Sequence, residues 1–472
     1  MAPHTVPFYI NGEELMPEKT FALKSPTDGS VISHSGIATV SDANAAVEAA
    51  AAALPAWRDM DTGARRDIFL KAADVMKRRQ SELAGYMGDE LGTGSDWSGF
   101  CTGLCIGLFK DVAGRISSIE GSVPKLEDPT RSAMVWREPY GVVLAIAPWN
   151  GSYPLGTRAV LYPLAAGCTV VLKGSELSPR AMHGIVSVLH EAGLPPGVLN
   201  FITTDSANAA AVTESIIANP HIKKVNFTGS TAVGRLIAKV AGQHLKPLVL
   251  ELGGKAPAII WEDADLDNAA HHCSVGAFLN SGQVCMSTER LIVHKSISEK
   301  FAEKLREKAS EIWSKPCVLI TEQAVEKNKK LLSDATSKGA SVVFGDVNAE
   351  ESNKSHMRPV IISQITSEMD IYKQESFGPT VSMIEVESEE EALRVANDTE
   401  YGLTSSVFTE DLRRGFRFAK GIEAGAVHIN SMTIHDETAL PHGGAKASGY
   451  GRFNASLGIE EYLRTKNVTW RN

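Results

Sequence analysis

Six short motifs hold most of the residues in this 472-residue chain that could do chemistry. PWN (148–150) puts Trp149 and Asn150 directly after an apolar run that includes Ile146. KGSE (173–176) sets Lys173 and Glu176 at the end of another. FTGSTAVG (227–234) is a glycine-rich turn that carries Gly229, Ser230 and Gly234 and opens a helical segment. The free N–H groups of such a helix start could cradle a phosphate, although a plain tight turn reads the same way. ELGGK (251–255) places Glu251 and Leu252 before two glycines, as a working carboxylate or a simple strand terminus. GQVC (282–285) ends on Cys285, which is either a small buried hydrophobe or a reactive thiol. ESFGP (375–379) adds Glu375 and Phe377, in what could also be an ordinary strand-entry loop.

The order and intervals of these motifs decide between the readings. Together they are those of the aldehyde dehydrogenase superfamily, which the chain resembles over essentially its whole length. The resemblance implies NAD(P)-dependent oxidation of an aldehyde to the carboxylic acid. Cys285 matches the nucleophile, which forms a thiohemiacetal and, after hydride loss, a thioester. Asn150 and the Cys285 N–H match the donors to the oxyanion. Glu251, 34 residues earlier, matches the base that activates water for thioester hydrolysis. For the cofactor, NAD with NADP as the other candidate, the resemblance implies Ile146, Trp149, Lys173, Glu176, Gly229, Ser230, Gly234, Leu252, Glu375 and Phe377. Trp149 and Ser230 match the pyrophosphate, Lys173 and Glu176 the adenosine ribose, and Glu375 and Phe377 the nicotinamide ribose and ring.

Two stretches, INSMTIHDETALPHGGAKASGYGRF (429–453) and RAVLYPLAAGCTVVLK (158–173), are similar to the branch that acts on salicylaldehyde, benzaldehyde and vanillin. The resemblance there implies a substrate tunnel lined by Gly151, Arg158 and His442, for an aromatic or other bulky hydrophobic aldehyde. His435 and Asp436 read as a structural loop contact. Three departures stand out. His442 replaces a usual phenylalanine, Ser287 replaces a usual alanine or glycine, and the connection across 311–332 is about ten residues short. Two alternatives remain: a CoA-acylating semialdehyde dehydrogenase, and a cofactor-binding protein without activity. Glu251 speaks against the first, and the intact set Asn150, Glu251 and Cys285 against the second.

The elements that must position these residues follow from periodicity. Residues 41–54 and 62–91 read as helical, with Ser41 or Asp42 as the first cap. Strand candidates at 142–148, 169–173, 198–202, 224–230 and 248–254 alternate with helical segments near 155–166, 179–193, 206–218 and 231–242. That alternation means βαβ units and a parallel sheet, which takes its ligand beyond the carboxyl ends of the strands. A second alternation has strands at 258–261, 291–294, 341–344, 380–386 and 426–430. The expected fold is α/β. It has a Rossmann-like NAD-binding domain (1–118 and 140–252), a second α/β catalytic domain (253–440) and a small bridging β element (119–139 and 455–472). An open edge in that element suits pairing with another subunit, as a homodimer or homotetramer.

Composition bounds the rest. Hydrophobic residues make up 43% and charged ones 22%, as in an ordinary globular protein. The net charge of −9 argues against nucleic acid as a partner. The six cysteines form no C-x-x-C pair and no zinc spacing, so no metal is expected and reduced thiols fit best. No apolar run approaches the roughly 20 residues that span a bilayer, so no membrane role is expected. The opening residues lack a basic and an apolar signal region, and WRN at the end is no peroxisomal or prenylation signal. The expected location is cytoplasmic.

Overall fold

The computed structural model describes residues 4–472. Its first large sheet has eight strands. Five are parallel: Val142–Ile146, Thr169–Lys173, Leu199–Ile202, Ile222–Thr228 and Leu248–Glu251. Val142–Ile146 and Thr169–Lys173 are buried along their whole length because helices cover both faces. Counted along the chain, these five strands lie in the order 5-4-1-2-3 across the sheet. Strand order therefore reverses between Val142–Ile146 and Ile222–Thr228, and the crevice opens beyond their carboxyl ends. PWN and TGSTAVG leave from those two ends.

The second large sheet has seven strands, including Ala256–Ile260, Thr288–His294, Thr380–Val386 and Thr404–Phe408. The strand Leu248–Glu251 in the first sheet runs through Leu252–Lys255 straight into Ala256–Ile260 in the second. The two sheets thus meet carboxyl end to amino end. Residues 253–255, 282–287 and 375–379 consequently work from the entrances of second-sheet strands, not from their exits. A two-stranded antiparallel ribbon, Arg131–Pro139 with Leu463–Arg471, stands apart from both sheets.

Several local expectations are corrected. The first helix is Val40–Arg58, and its cap is Thr39, not Ser41 or Asp42. Thr39 and Asp42 bond reciprocally as a capping box, which outcompetes a later start. The stretch 62–91 is two helices, Thr62–Arg78 and Gln80–Leu91, hinged at Arg79. Helix Ser95–Arg115 and strands Val360–Ser363 and Thr404–Phe408 are additional elements. Among the described residues no helix is long and apolar enough to cross a membrane.

Candidate active site

Asn150, Glu251 and Cys285 converge where the two sheets meet. Asn150 ends the turn after Val142–Ile146 and is buried. Its side-chain amide donates to the Gln283 carbonyl at 2.9 Å, which leaves its second N–H free. Its own carbonyl accepts from Trp97 and from Asn280, each at 3.2 Å. Glu251 closes the strand Leu248–Glu251 and is only 1% exposed. Cys285 is the one cysteine of the six that is not fully buried.

The approach to Cys285 is strained. Asn280, Ser281 and Gly282 all have left-handed backbone, with φ of 49°, 61° and 71°. Two of them are not glycine, and each costs on the order of 1 kcal/mol. The tight course has a steric cause. A Cβ on Gly282 would lie 2.1 Å from the Gly378 carbonyl oxygen, and one on Gly254 would lie 2.3 Å from that of Cys285. The glycines of GQVC, ELGGK and ESFGP are therefore pressed against one another's backbone. Gln283 ties the shortened connection to the same loop. It donates to the Val318 carbonyl at 3.1 Å and accepts from the Ile320 N–H at 2.9 Å.

Electrostatics separate the thiol from the carboxylate. Desolvation, and then the Glu251 charge, hold the Cys285 thiol well above its ordinary value, with Arg158 pulling the other way. Burial would raise the Glu251 carboxyl, yet His442, Arg158 and the Cys285 thiol together keep it below the usual carboxylate range. At neutral pH the pair is a thiol facing a carboxylate. Such a pair can pass a proton from sulfur, or from a water, to Glu251.

The residues matched to the cofactor line the crevice. A cleft of about 760 Å³ takes in Ile146, Trp149, Lys173, Glu176, Gly229 and Ser230. Ser230 caps the helix Thr231–Gln243 and also borders an adjoining recess that reaches Glu375. Thr228 Oγ1, on the cleft wall, is buried without a partner, as expected of a group that a ligand completes. Desolvation lowers the Lys173 ammonium, and the Glu176 charge works against that. Gly234 and Leu252 lie behind the wall; a Cβ on Gly234 would come within 2.5 Å of Leu252. Glu375 accepts from the Gly254 N–H at 2.8 Å, and burial, with Glu289 beside it, pushes its carboxyl up to about 7. Phe377 has φ of 50° and meets Trp149 edge-on at 5.9 Å. These features fit a dinucleotide laid across the crevice.

Some residues that build the site carry no motif of their own. Glu289 accepts from the backbone N–H groups of Ser376 and Phe377 and pairs with buried Lys255 at 2.5 Å, which fixes the ESFGP turn. Lys255 was visible in ELGGK, but nothing in the sequence indicated its partner. Trp97 comes from the unanticipated helix Ser95–Arg115.

Of the residues matched to the tunnel, Arg158 is 1% exposed. Its two terminal nitrogens reach Glu251 and Asp436, each at 3.2 Å, and its guanidinium stacks 4.8 Å above Phe453. Asp436 also accepts from Asn454 at 2.6 Å, a structural contact of that loop. Gly151 has room for a side chain, since a Cβ there meets nothing closer than 3.4 Å. His442 Nε2 stands 3.9 Å from Glu251 Oε1.

The aldehyde dehydrogenase family model matches residues 14–468. A vanillin dehydrogenase from a Pseudomonas species is 43% identical over 478 residues, covering 99% of this chain and 98% of that protein. A crystal structure of a salicylaldehyde dehydrogenase from Pseudomonas putida G7, complexed with salicylaldehyde, is 37% identical with a TM-score of 0.96. It covers 99% of this chain and 98% of that one. An NADP-dependent enzyme from E. coli is 32% identical with a TM-score of 0.96, over 99% and 98% of the two chains.

Proposed function

The chain belongs to the aldehyde dehydrogenase family, and on that premise we propose that it oxidises an aromatic or other bulky hydrophobic aldehyde through Cys285, Asn150 and Glu251. Members of the family use NAD or NADP, and this chain is an NAD(P)-dependent aldehyde dehydrogenase. One observation carries the reading: thiol, carboxylate and free amide N–H meet where the cofactor crevice ends. Cys285 loses its proton to solvent as Sγ attacks the aldehyde carbon, and the Asn150 amide and the Cys285 N–H stabilise the resulting oxyanion. A nicotinamide held beside Glu375 and Phe377 would accept the hydride that leaves this carbon, and a thioester on Cys285 remains. Glu251 then takes a proton from water as its oxygen attacks the thioester carbon. The C–S bond breaks, and the acid and the thiolate separate.

The substrate class rests on the two relatives named for vanillin and salicylaldehyde. The test is kcat/KM over substituted benzaldehydes, long-chain aldehydes and polyene aldehydes, with and without CoA. We expect benzaldehydes to lead and the product to be the free acid. Acyl-CoA as the product would instead favour the acylating alternative.

Cofactor preference follows from Glu176. This half-buried carboxylate lies three residues after Lys173, where the adenosine ribose would sit. It can accept from a ribose 2′-hydroxyl and would repel a 2′-phosphate. Like charges about 4 Å apart cost on the order of 1 kcal/mol in water and about 4 kcal/mol near a protein surface. Lys173 offsets part of this, so NAD should lead by roughly tenfold in kcat/KM. Glu176→Gln should narrow that gap by improving NADP. A wild-type preference for NADP would count against this placement.

Assembly is part of the same proposal. The ribbon Arg131–Pro139 with Leu463–Arg471 leaves the outer edge of Leu463–Arg471 unpaired and exposes Met134, Trp136 and Trp470. Another subunit can cover such an edge, as a homodimer or homotetramer.

A further inference from the structure

Oxidation of an aldehyde by NAD⁺ and water gives carboxylate, NADH and two protons. One proton leaves when the product acid ionises. The other is the one that Glu251 collects in the reading above, on which this inference rests, and it must leave a side chain that is 1% exposed. Glu251 Oε2 is engaged by Arg158, whose guanidinium has no site to accept a proton. Handing the proton to Cys285 only postpones the problem, because the thiol must lose it again in the next cycle.

Glu251 Oε1 has a different neighbour. It is buried without a hydrogen-bond partner, and so is His442 Nε2 across the 3.9 Å gap. Two facing orphan atoms make a matched pair once Glu251 has taken a proton: Oε1–H is then the donor and an unprotonated Nε2 the acceptor. Movement of about 0.7 Å closes the gap to hydrogen-bond length, and catalytic contacts commonly tighten in this way once substrate binds. His442 cannot drift far. Its N–H donates to the Phe453 carbonyl and its carbonyl accepts from the Phe453 N–H, both at 2.8 Å. The Phe453 ring also carries the Arg158 guanidinium, so one bridge fixes both partners of Glu251.

The far side of His442 leads outward. Its side chain is 10% exposed and borders a small cavity shared with His428, His435, Asp436 and Glu437. His435 is partly exposed and lies 3.1 Å from the exposed carboxylate of Glu437. Among the charged and titratable groups around the ring, Arg158 is engaged by Glu251 and Asp436, and Asp436 is committed to Arg158 and Asn454. Burial, with His435 and His442 nearby, pushes His428 down to about 4, so it is neutral and does not oppose a charge on His442. Cys285 lies on the other side of Glu251.

We infer that His442 is a positioning residue for deacylation, which receives from Glu251 the proton taken from the hydrolytic water and releases it to solvent through the histidine-lined cavity. An imidazole suits this role because one ring nitrogen can take up a proton while the other gives one up. In balance, the water oxygen bonds to the acyl carbon and one water proton moves to Glu251 and then to Nε2. The C–S pair returns to sulfur, and the imidazolium loses its proton to water. The phenylalanine usual at this position would leave Oε1 facing an apolar ring.

The test follows the decay of the acyl-enzyme by rapid quench in wild type, H442F, H442A and E251Q. The amplitude of the first NADH turnover reports folded, acylating sites in each variant. We expect H442F and H442A to keep that amplitude and to deacylate about tenfold more slowly or worse, below the full effect of losing a general base. Added imidazole should restore H442A in proportion to its concentration, and should not restore H442F, whose ring fills the space. Wild-type deacylation in both variants overturns the relay, as does slow deacylation in H442A that imidazole leaves unchanged. If E251Q deacylates at the wild-type rate, it is Glu251 as base that fails, whatever the His442 variants do.

Discussion

Cys285→Ala should lose dehydrogenase turnover by on the order of 10⁴-fold or more, as when other covalent nucleophiles are removed. NAD binding should stay nearly unchanged, because the crevice residues from Ile146 to Ser230 do not depend on the thiol. The other five cysteines should be individually replaceable. Cys101, Cys105, Cys168, Cys273 and Cys317 are all buried. Burial pushes Cys105 up to about 12 and Cys168 and Cys317 up to about 11, and raises Cys101 and Cys273 as well, so none presents an exposed thiolate. The Cys285 thiol is held up as well, so accessibility decides: as the one cysteine not fully buried, it should be labelled first. Persistent turnover in Cys285→Ala, with labelling elsewhere, would remove it from the mechanism.

Glu251→Gln should separate the two half-reactions. Acylation should survive as one burst of NADH, while steady turnover falls by about 10²–10⁴-fold, the usual range for losing a general base. The thiol gives an independent readout whose sign is fixed. An anionic Glu251 disfavours a second negative charge on Cys285, and a neutral glutamine does not. The thiol value should fall in the variant, so alkylation of Cys285 at a fixed pH should speed up. Slower alkylation together with loss of the burst would mean that Glu251 also takes the proton of Cys285 before attack.

Much of the architecture could be read directly because the central strands are fully buried. TVVLK and VVLAI are apolar runs between glycines and prolines, and no other assignment suits them. Strands with little apolar signal escaped. TSSVF (404–408) buries Ser405 and Ser406 completely, and Glu13–Leu15 is an exposed three-residue edge. Helix Ser95–Arg115 is broken up by Gly99, Gly103 and Gly107, poor helix formers that packing overrides. At the site, the motifs named the groups but not their alliances. The Glu289–Lys255 pair, the Gln283 tie to residues 318 and 320, and the Arg158 link between Glu251 and Asp436 join distant parts of the chain. Periodicity and spacing carry no trace of such pairings. His442 was legible as a departure, but its meaning came only with the unpartnered oxygen opposite it.

The account is tested most directly by the mass of the protein after Glu251→Gln is mixed with NAD and a benzaldehyde and quenched within the first turnover. It predicts one acyl group per active subunit, located by peptide mapping on Cys285 and formed in step with NADH. NADH formation with no adduct on Cys285, or an adduct on another residue, would contradict it.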